Sequence, residues 1–407
     1  MSVIDSRAIA LIDCDSFYVS CEQLIDPHLR YKPVCVMSNN DGCIVARSKE
    51  AKKLGVKMGM PVFQAKKDFP QVIYISGRLD LYGEISNRVM NILKNYTPEV
   101  EIYSIDEAFV DLTGLRKLYK KSYLQIADSI RTEIKKSAGI PVSIGVSSSK
   151  VLAKLATNRA KNGDGFYRIS FRGITEELKR TQLIEIWGFG NNTCALLNKF
   201  GIFSAYEYTL QNDSWIKKTL GKKGLEIKYE LMGESIYPVT DKINLPKTIQ
   251  KTSSFASFTS NKHYIRNALH YHAHRACKKL RKHKIKTNLV GIMLKTKNFK
   301  VYYGSKVLLY HTDWEFEIFN TVDKIFQEIF VADIIYRSSG ITLGNFVEAS
   351  NSQLSLFENN LKQEAHSKLG TIWDSLEEKY GRNILSAGAY IEKANLKYDN
   401  NSNIDSN

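Results

Sequence analysis

The first 161 residues alternate between two hydrophobic periods. Ala8-Ile9-Ala10-Leu11-Ile12 is an unbroken apolar run ending at Asp13-Cys14-Asp15, which predicts a buried strand leading into a helix. Pro33-Val34-Cys35-Val36-Met37 predicts a second strand. Asn39-Asn40-Asp41-Gly42-Cys43 reads as a turn, since Asn and Gly tolerate positive φ, and Ile44-Val45-Ala46 as an antiparallel return. A basic helix over 47–55, closed by Gly55, follows. Residues 81–96 then take up the helical period, with Ile85, Val89, Ile92, Leu93 and Tyr96 on one face. A β-prone run over 100–112 precedes a helix over 123–137 and a strand over 142–146. Ser147, Ser148 and Ser149 offer caps to a helix over 150–161, which carries Lys154, Arg159 and Lys161. Strand, helix, hairpin, helix, strand is the order of a ferredoxin-like α+β sheet.

The pattern changes after residue 183. Paired glycines appear among short helical stretches: Gly188-Phe189-Gly190 opens a helix over 194–200, and Gly221, Gly224 and Gly233 suggest a second such turn. A Gly-x-Gly turn at a helix start lets backbone N–H groups approach a phosphate. A long helix over 267–284 has a buried stripe of Leu269, Ala273, Ala276 and Leu280. Arg275, Lys278, Lys279, Arg281 and Lys282 face elsewhere. His270, His272 and His274 alternate at a spacing wrong for a helical metal site, which needs i and i+4, and read as surface histidines. Strands over 289–296, 301–309 and 340–345 with a helix over 315–330 make a second α+β domain. Beyond Phe346 a polar hinge, an isolated apolar pentad (Gln353-Leu354-Ser355-Leu356-Phe357), a short helix over 365–380 and an Asn/Ser/Asp-rich, disordered end are predicted.

Charge sharpens this division. The chain carries a formal net charge of +16, yet 15 Lys or Arg residues and no acid lie between Pro246 and Tyr310. Such a block predicts a surface built against phosphate, with Arg275, Lys278, Lys279 and Lys282 as candidate contacts to a polyanion. At 407 residues several domains are expected. No apolar run approaches the ~20 residues of a membrane span, and the run at 8–12 is too short for a signal peptide. The six cysteines are scattered without a Cys-x-x-Cys pair and read as reduced, buried thiols of a cytoplasmic protein.

The candidate chemistry lies in Tyr103-Ser104-Ile105-Asp106-Glu107-Ala108-Phe109. Two adjacent carboxylates inside an apolar run are either the solvated tip of a hairpin or a buried pair whose cost a hard cation such as Mg²⁺ offsets. Asp13, ending the first strand, would complete three carboxylates at one sheet edge. That is a ligand set for two metal ions about 4 Å apart driving in-line phosphoryl transfer.

As a set, these stretches resemble the Y-family of translesion DNA polymerases. The resemblance rests on Ile12 to Tyr18, Ser38 to Cys43, Tyr103 to Phe109, Ser149-Lys150-Val151-Leu152-Ala153-Lys154 and the Gly188/Gly190 hairpin. It spans roughly residues 8 to 350, and the Asn-Asn-Asp-Gly-Cys turn and long tail favour the UmuC branch over the DinB branch. The resemblance implies a right-hand architecture: palm over 1–20 and 77–173, small fingers over 21–76, helix-hairpin-helix thumb over 174–240, DNA-binding little finger over 241–349 and a partly disordered tail over 350–407. It implies template-directed, error-prone DNA synthesis without proofreading, in damage tolerance and SOS mutagenesis. By the family pattern Asp13, Asp106, Glu107 and the Cys14 carbonyl hold two Mg²⁺ ions, and Lys52 and Lys161 hold the triphosphate of a deoxynucleotide. Tyr18 excludes a ribose 2′-hydroxyl. Gln353, Leu354, Leu356 and Phe357 match the pentad that docks bacterial polymerases on the sliding clamp. Primer-template DNA, a UmuD-like subunit and RecA are the other implied partners. Three rivals remain open at this point: a nucleotide cyclase, a non-catalytic DNA-binding scaffold and a stand-alone DinB-like polymerase.

Overall fold

The apolar run before Asp13 forms β1 (Ile9–Cys14), buried at every position. In this computed structural model residues 7–38, 41–241, 245–349, 360–380 and 385 are described, and the chain divides into two compact units, Met1–Lys242 and Ile243–Asn407.

In the first unit β1 is followed by α1 (Phe17–Ile25), β2 (Val34–Met37), β3 (Ile44–Arg47), α2 (Lys49–Lys53), α3 (Val62–Asp68), β4 (Ile73–Ser76) and α4 (Leu79–Lys94). Then come β5 (Val100–Ile102), β6 (Glu107–Asp111), α5 (Leu115–Tyr119), α6 (Tyr123–Ser137), β7 (Val142–Ser147), α7 (Lys150–Lys161) and β8 (Phe166–Arg168). The main sheet has the order β5-β6-β1-β7-β8, antiparallel except for the parallel pair β7/β8. With α4 and α6 on one face this is the expected ferredoxin-like arrangement, extended by β8. Alternation along β1 assigns its two faces. Ala10, Ile12 and Cys14 join Ile85, Val89 and Leu93 of α4 and Ile126, Ile130 and Ile134 of α6 in one core. Ile9 and Leu11 pack instead with Phe109 and with Ala153 of α7. Gly145 permits that close approach, because a Cβ there would lie 2.1 Å from the backbone nitrogen of Thr157.

The small sheet β3-β2-β4 forms separately between α1 and α4. The antiparallel return β2/β3 is as predicted, but the helix predicted over 47–55 shortens to α2. Arg47 ends β3, and Ser48 caps the helix by accepting the Ala51 N–H at 3.1 Å. The unit closes with α8 (Ile174–Lys179), α9 (Asn191–Lys199), α10 (Ala205–Thr209) and α11 (Asp213–Leu231), the last kinked at Gly221.

The second unit comprises β9 (Thr248–Thr259), α12 (Lys262–Lys282), β10 (Ile285–Thr296), β11 (Val301–Thr312), α13 (Glu315–Ile329), β12 (Tyr336–Glu348) and α14 (Asn360–Tyr380). Its antiparallel sheet has the order β11-β10-β12-β9. The sequence reading misses β9, because this edge strand is mostly Ser, Thr, Lys and Gln and buries only Ile249 and Phe255. Two expectations for α12 are corrected. His270, His272 and His274 are not surface histidines but are 1%, 4% and 4% exposed, since α12 is enclosed by the sheet, α13 and α14. Each imidazole finds a polar partner there: Asp323 at 2.8 Å, Ser253 at 3.2 Å and Glu377 at 3.0 Å respectively. Arg281 is likewise not turned outward. Its side chain is 6% exposed and is held by Glu315 and Asp374. The predicted tail therefore supplies a packed helix, with Trp373 of α14 9% exposed. Gln353, Leu354, Leu356 and Phe357 lie outside the described residues, as do Asn39 and Asn40. Among the described residues no helix is long and apolar enough to cross a membrane. All six cysteines are free thiols, with Cys43 and Cys194 half-buried and the rest buried.

Candidate active site

The register of the main sheet brings the carboxylates together. Asp13 stands directly opposite Glu107 across the β1/β6 pair, and the Cys14 N–H donates to the Asp106 carbonyl at 2.8 Å. The run over 100–112 is a hairpin: β5 ends at Ile102, β6 begins at Glu107, and Asp106 closes the turn between them. Ser104 shapes that turn. Its hydroxyl accepts the N–H groups of Asp106 and Glu107 at 3.2 and 3.0 Å and donates to Asp106 Oδ1 at 2.6 Å. The tip is partly solvated, with Ile102 and Tyr103 exposed and Ser104, Ile105 and Asp106 half-buried, and it is not a continuous strand. Asp13 is 4% exposed, and the Glu107 side chain is 14% exposed.

Two lysines on one face of α7, seven residues apart, meet this pair. Lys161 Nζ lies 2.6 Å and Lys154 Nζ 3.9 Å from Asp13 Oδ2, and Lys154 also bonds Glu107 Oε1. Burial and the hydrogen bond to Glu107 nevertheless push Asp13 up to about 7, against the pull of Lys161. Burial also works against the Glu107 charge, but the hydrogen bond from Asp13 and the Lys154 ammonium hold Glu107 below the usual carboxylate range. Two carboxylates side by side disfavour being ionised together, and of this pair Asp13 is the one whose proton is favoured. Sequence reasoning gave Lys154 and Ser104 no role at the site. The signals present were the i, i+7 spacing of Lys154 to Lys161 and the Ser two residues before Asp106, a common turn arrangement.

The remaining predicted residues fall around this centre to different degrees. Lys52 Nζ reaches Ser16 Oγ at 3.2 Å, and burial together with Arg47 and Lys161 lowers its pKa. Arg47, another cation unforeseen at the site, thus stands in the same electrostatic neighbourhood. The Cys14 thiol packs into the core, and burial raises its pKa strongly, so only its backbone is available to a ligand. Asp15 is engaged separately, accepting the Ser143 hydroxyl at 2.8 Å. Tyr18, half-buried, stacks on Tyr82 with ring centroids 4.5 Å apart.

Gly188 adopts φ 96°, a conformation that favours glycine, and Gly190 caps α9 with no side-chain cap bond. Gly188 borders a cavity of about 620 Å³ whose lining includes Tyr103, Lys150, Trp187, Lys222 and Lys223. In the second unit Lys279 and Lys282 are exposed and Arg275 half-buried, whereas Lys278 is engaged by Glu377 at 3.0 Å.

The donors near Asp13 are carboxylate and carbonyl oxygens, the chemistry that hard divalent cations select. Among the described residues no three metal-ligating side chains already converge into a cage. The Lys154 and Lys161 ammonium groups stand where cationic charge is called for, and Asp13, still under-compensated, fits a site that accepts more.

Comparison with known proteins agrees with this geometry. The impB/mucB/samB family matches residues 12–158, and the C-terminal domain of the same family matches residues 246–356. The chain is 34% identical to the protein UmuC of Salmonella typhimurium, covering 92% of each. It is 30% identical to the DNA polymerase IV of Dehalococcoides mccartyi, covering 94% of this chain and 97% of that one. Among solved structures, a Y-family DNA polymerase chimera superimposes with a TM-score of 0.71 at 24% identity, over 84% of this chain and 99% of the other. The insertion ternary complex of Dbh DNA polymerase gives a TM-score of 0.59 at 23% identity, and both likenesses concern the fold. Sheet order, carboxylate register and sequence similarity converge, and the chain belongs to the impB/mucB/samB family of Y-family, error-prone lesion-bypass DNA polymerases.

Proposed function

We propose that this polymerase extends a primer-template by Mg²⁺-dependent nucleotidyl transfer at Asp13, Asp106 and Glu107, with the Cys14 carbonyl as a further ligand. The observation that carries the reading is Asp13 facing Glu107 across β1/β6 with two ammonium groups on them. Two bound ions supply a lowered pKa at the primer hydroxyl and charge neutralisation on the triphosphate. The chain's own groups do the rest. Ser104 orients the Asp106 carboxylate through its hydroxyl. Lys52 and Lys161 are placed to receive the triphosphate once Lys161 leaves Asp13, and Tyr18 closes against the sugar. The start of α9 at Gly190, which no side chain caps, suits a DNA phosphate.

Arg275, Lys279 and Lys282 supply sequence-independent grip in the second unit, with Lys278 a weaker candidate because Glu377 already holds it. Gln353, Leu354, Leu356 and Phe357 recruit the chain to a sliding clamp. A UmuD-like subunit and RecA act as partners, and the protein works in the cytoplasm during the SOS response. In this reading palm, fingers and thumb lie before residue 241 and the little finger from 241 to 349.

Primer extension by the purified chain decides the central claim. Extension by one nucleotide at a time, dependent on Mg²⁺ and a template, supports it. Template binding without any incorporation, with or without a UmuD-like protein and RecA, returns the scaffold reading.

A further inference from the structure

Beneath Tyr18 lies a buried carboxylate that the proposed chemistry leaves unused. Glu22, one turn further along α1, is 2% exposed. Its Oε1 accepts the Tyr82 hydroxyl at 2.6 Å and Arg78 Nε at 3.0 Å, while Oε2 takes the second arm of the guanidinium. Arg78 is the N-cap of α4 and Tyr82 lies four residues on, so one carboxylate ties α4 to α1 through two side chains. Only the carboxylate of this pair is buried, the Arg78 side chain being 39% exposed, so the pair adds little stability, and the best-attested use of such a pair is to fix one geometry.

The geometry fixed here is a ring plane. Tyr82 is fully buried and stacks on Tyr18 with 19° between the rings. Burial and the Glu22 carboxylate raise the Tyr82 pKa, so its hydroxyl stays a protonated donor at any working pH. Among the described residues no hydrogen bond holds the Tyr18 side chain, which packs against the main core and meets the rings of Tyr82 and, at 5.8 Å, Phe17. A gate that rejects one extra oxygen on a sugar must not tilt, because an aromatic ring free to move by the width of that oxygen would admit it. Tyr18 lacks a tether of its own, and Tyr82 has one.

We propose that Tyr82, tethered by Glu22 and Arg78, is a positioning residue that sets the sugar selectivity of the Tyr18 gate. The proposal rests on reading Tyr18 as that gate. The measurement is kcat/KM for a deoxynucleoside and the matching ribonucleoside triphosphate, in Tyr18→Ala, Tyr82→Leu, Tyr82→Phe and Glu22→Gln. Tyr82→Leu removes the stacked ring and should lower the deoxy-to-ribo ratio about tenfold, within the ~10²-fold that a misplacement of about 1 Å can cost. Tyr82→Phe keeps the ring and loses the tether, and Glu22→Gln loosens it; each should lower the ratio by a smaller factor. In the Tyr18→Ala background Tyr82→Leu should change the ratio no further.

A merely structural network predicts something else: both substrates decline together, the ratio stays constant, and the proposal is overturned. A further fall in the ratio in the Tyr18→Ala background also overturns it, since Tyr82 would then act independently. Tyr18→Ala with an unchanged ratio removes the gate itself and the proposal with it. A lowered ratio in Tyr18→Ala beside normal ratios in all three other variants removes only the role of Tyr82. Tyr82→Phe and Glu22→Gln are near-isosteric, so failure of Tyr82→Leu to fold leaves the test intact.

Discussion

Each unit of this molecule buries a cluster of ionisable side chains, and the two clusters are balanced in opposite ways. In the first unit Asp13 and Glu107 face each other with Lys154 and Lys161, and Asp13 is still pushed up to about 7. In the second unit His274, Lys278 and Arg281 of α12 meet Glu315, Asp374 and Glu377. There burial is outweighed. Hydrogen bonds to His274 and Lys278 hold Glu377 down at about 2, and hydrogen bonds to Glu315 and Glu377 lift His274 to about 8. A cluster whose members are stabilised in their charged forms is complete in itself. One that leaves a carboxylate under-compensated is open to a further cation, and strain of that sign marks function better than burial alone.

The largest expected effect tests the open cluster. Asp13→Asn, Asp106→Ala and Glu107→Ala should each lower primer extension by about 10³-fold or more, the scale for removing a principal transition-state charge partner, while DNA affinity by titration stays within a few-fold. Asp13→Asn should also leave the melting temperature of the metal-free protein unchanged or higher, because it removes a poorly compensated buried charge. A clear loss of melting temperature would make the first cluster structural, like the second.

Next comes the closed cluster. Arg281→Ala strands Glu315 and Asp374 and should cost about 3 kcal/mol or more in denaturant unfolding of the second unit. Unfolding at the wild-type midpoint, together with weaker DNA binding, would turn that cluster into grip and break the contrast.

A smaller effect follows from His274, whose folded pKa lies above its ordinary value. Its contribution is fully present below about pH 6.5 and is lost as pH rises through about 8, a change of about 2 kcal/mol. The groups facing it are Glu315 and Glu377, with Lys278 and Arg281 beside them. Hydrogen-exchange protection of α14 should therefore fall between pH 6.5 and 8.5 in the wild type and stay nearly level in His274→Gln. The smallest effect separates the lysines of α12. Lys279→Ala and Lys282→Ala should each reduce the log–log salt slope of DNA binding by about 0.9, whereas Lys278→Ala, already paired, should leave it nearly unchanged.

Much of the first unit was legible in the chain. An apolar run broken by an acid, a helical stripe, a second apolar run and a serine-capped helix are local signals. A ferredoxin-like sheet is the usual way to bury that order of faces, so β1, α4, α6, β7 and α7 were all foreseen. Asp13, Asp106 and Glu107 were visible because each interrupts an apolar pattern. The second unit was harder for the same reason reversed. β9 has almost no apolar pattern, and the polar residues of α12 carry no mark of what covers them.

The sequence alone thus determined which segments pair their apolar faces, where the acids interrupt them and which family the motifs resemble, because these follow from nearest-neighbour periodicity and residue type. Tertiary structure alone decided that Asp13 stands opposite Glu107, that Lys154 bridges them and that Glu22 holds Tyr82 under Tyr18. It also decided that Arg281 and the three histidines of α12 are buried. Those outcomes depend on strand register and on carboxylates tens of residues away or more, and a charged side chain acquires its role from the field of partners that the folded chain brings to it.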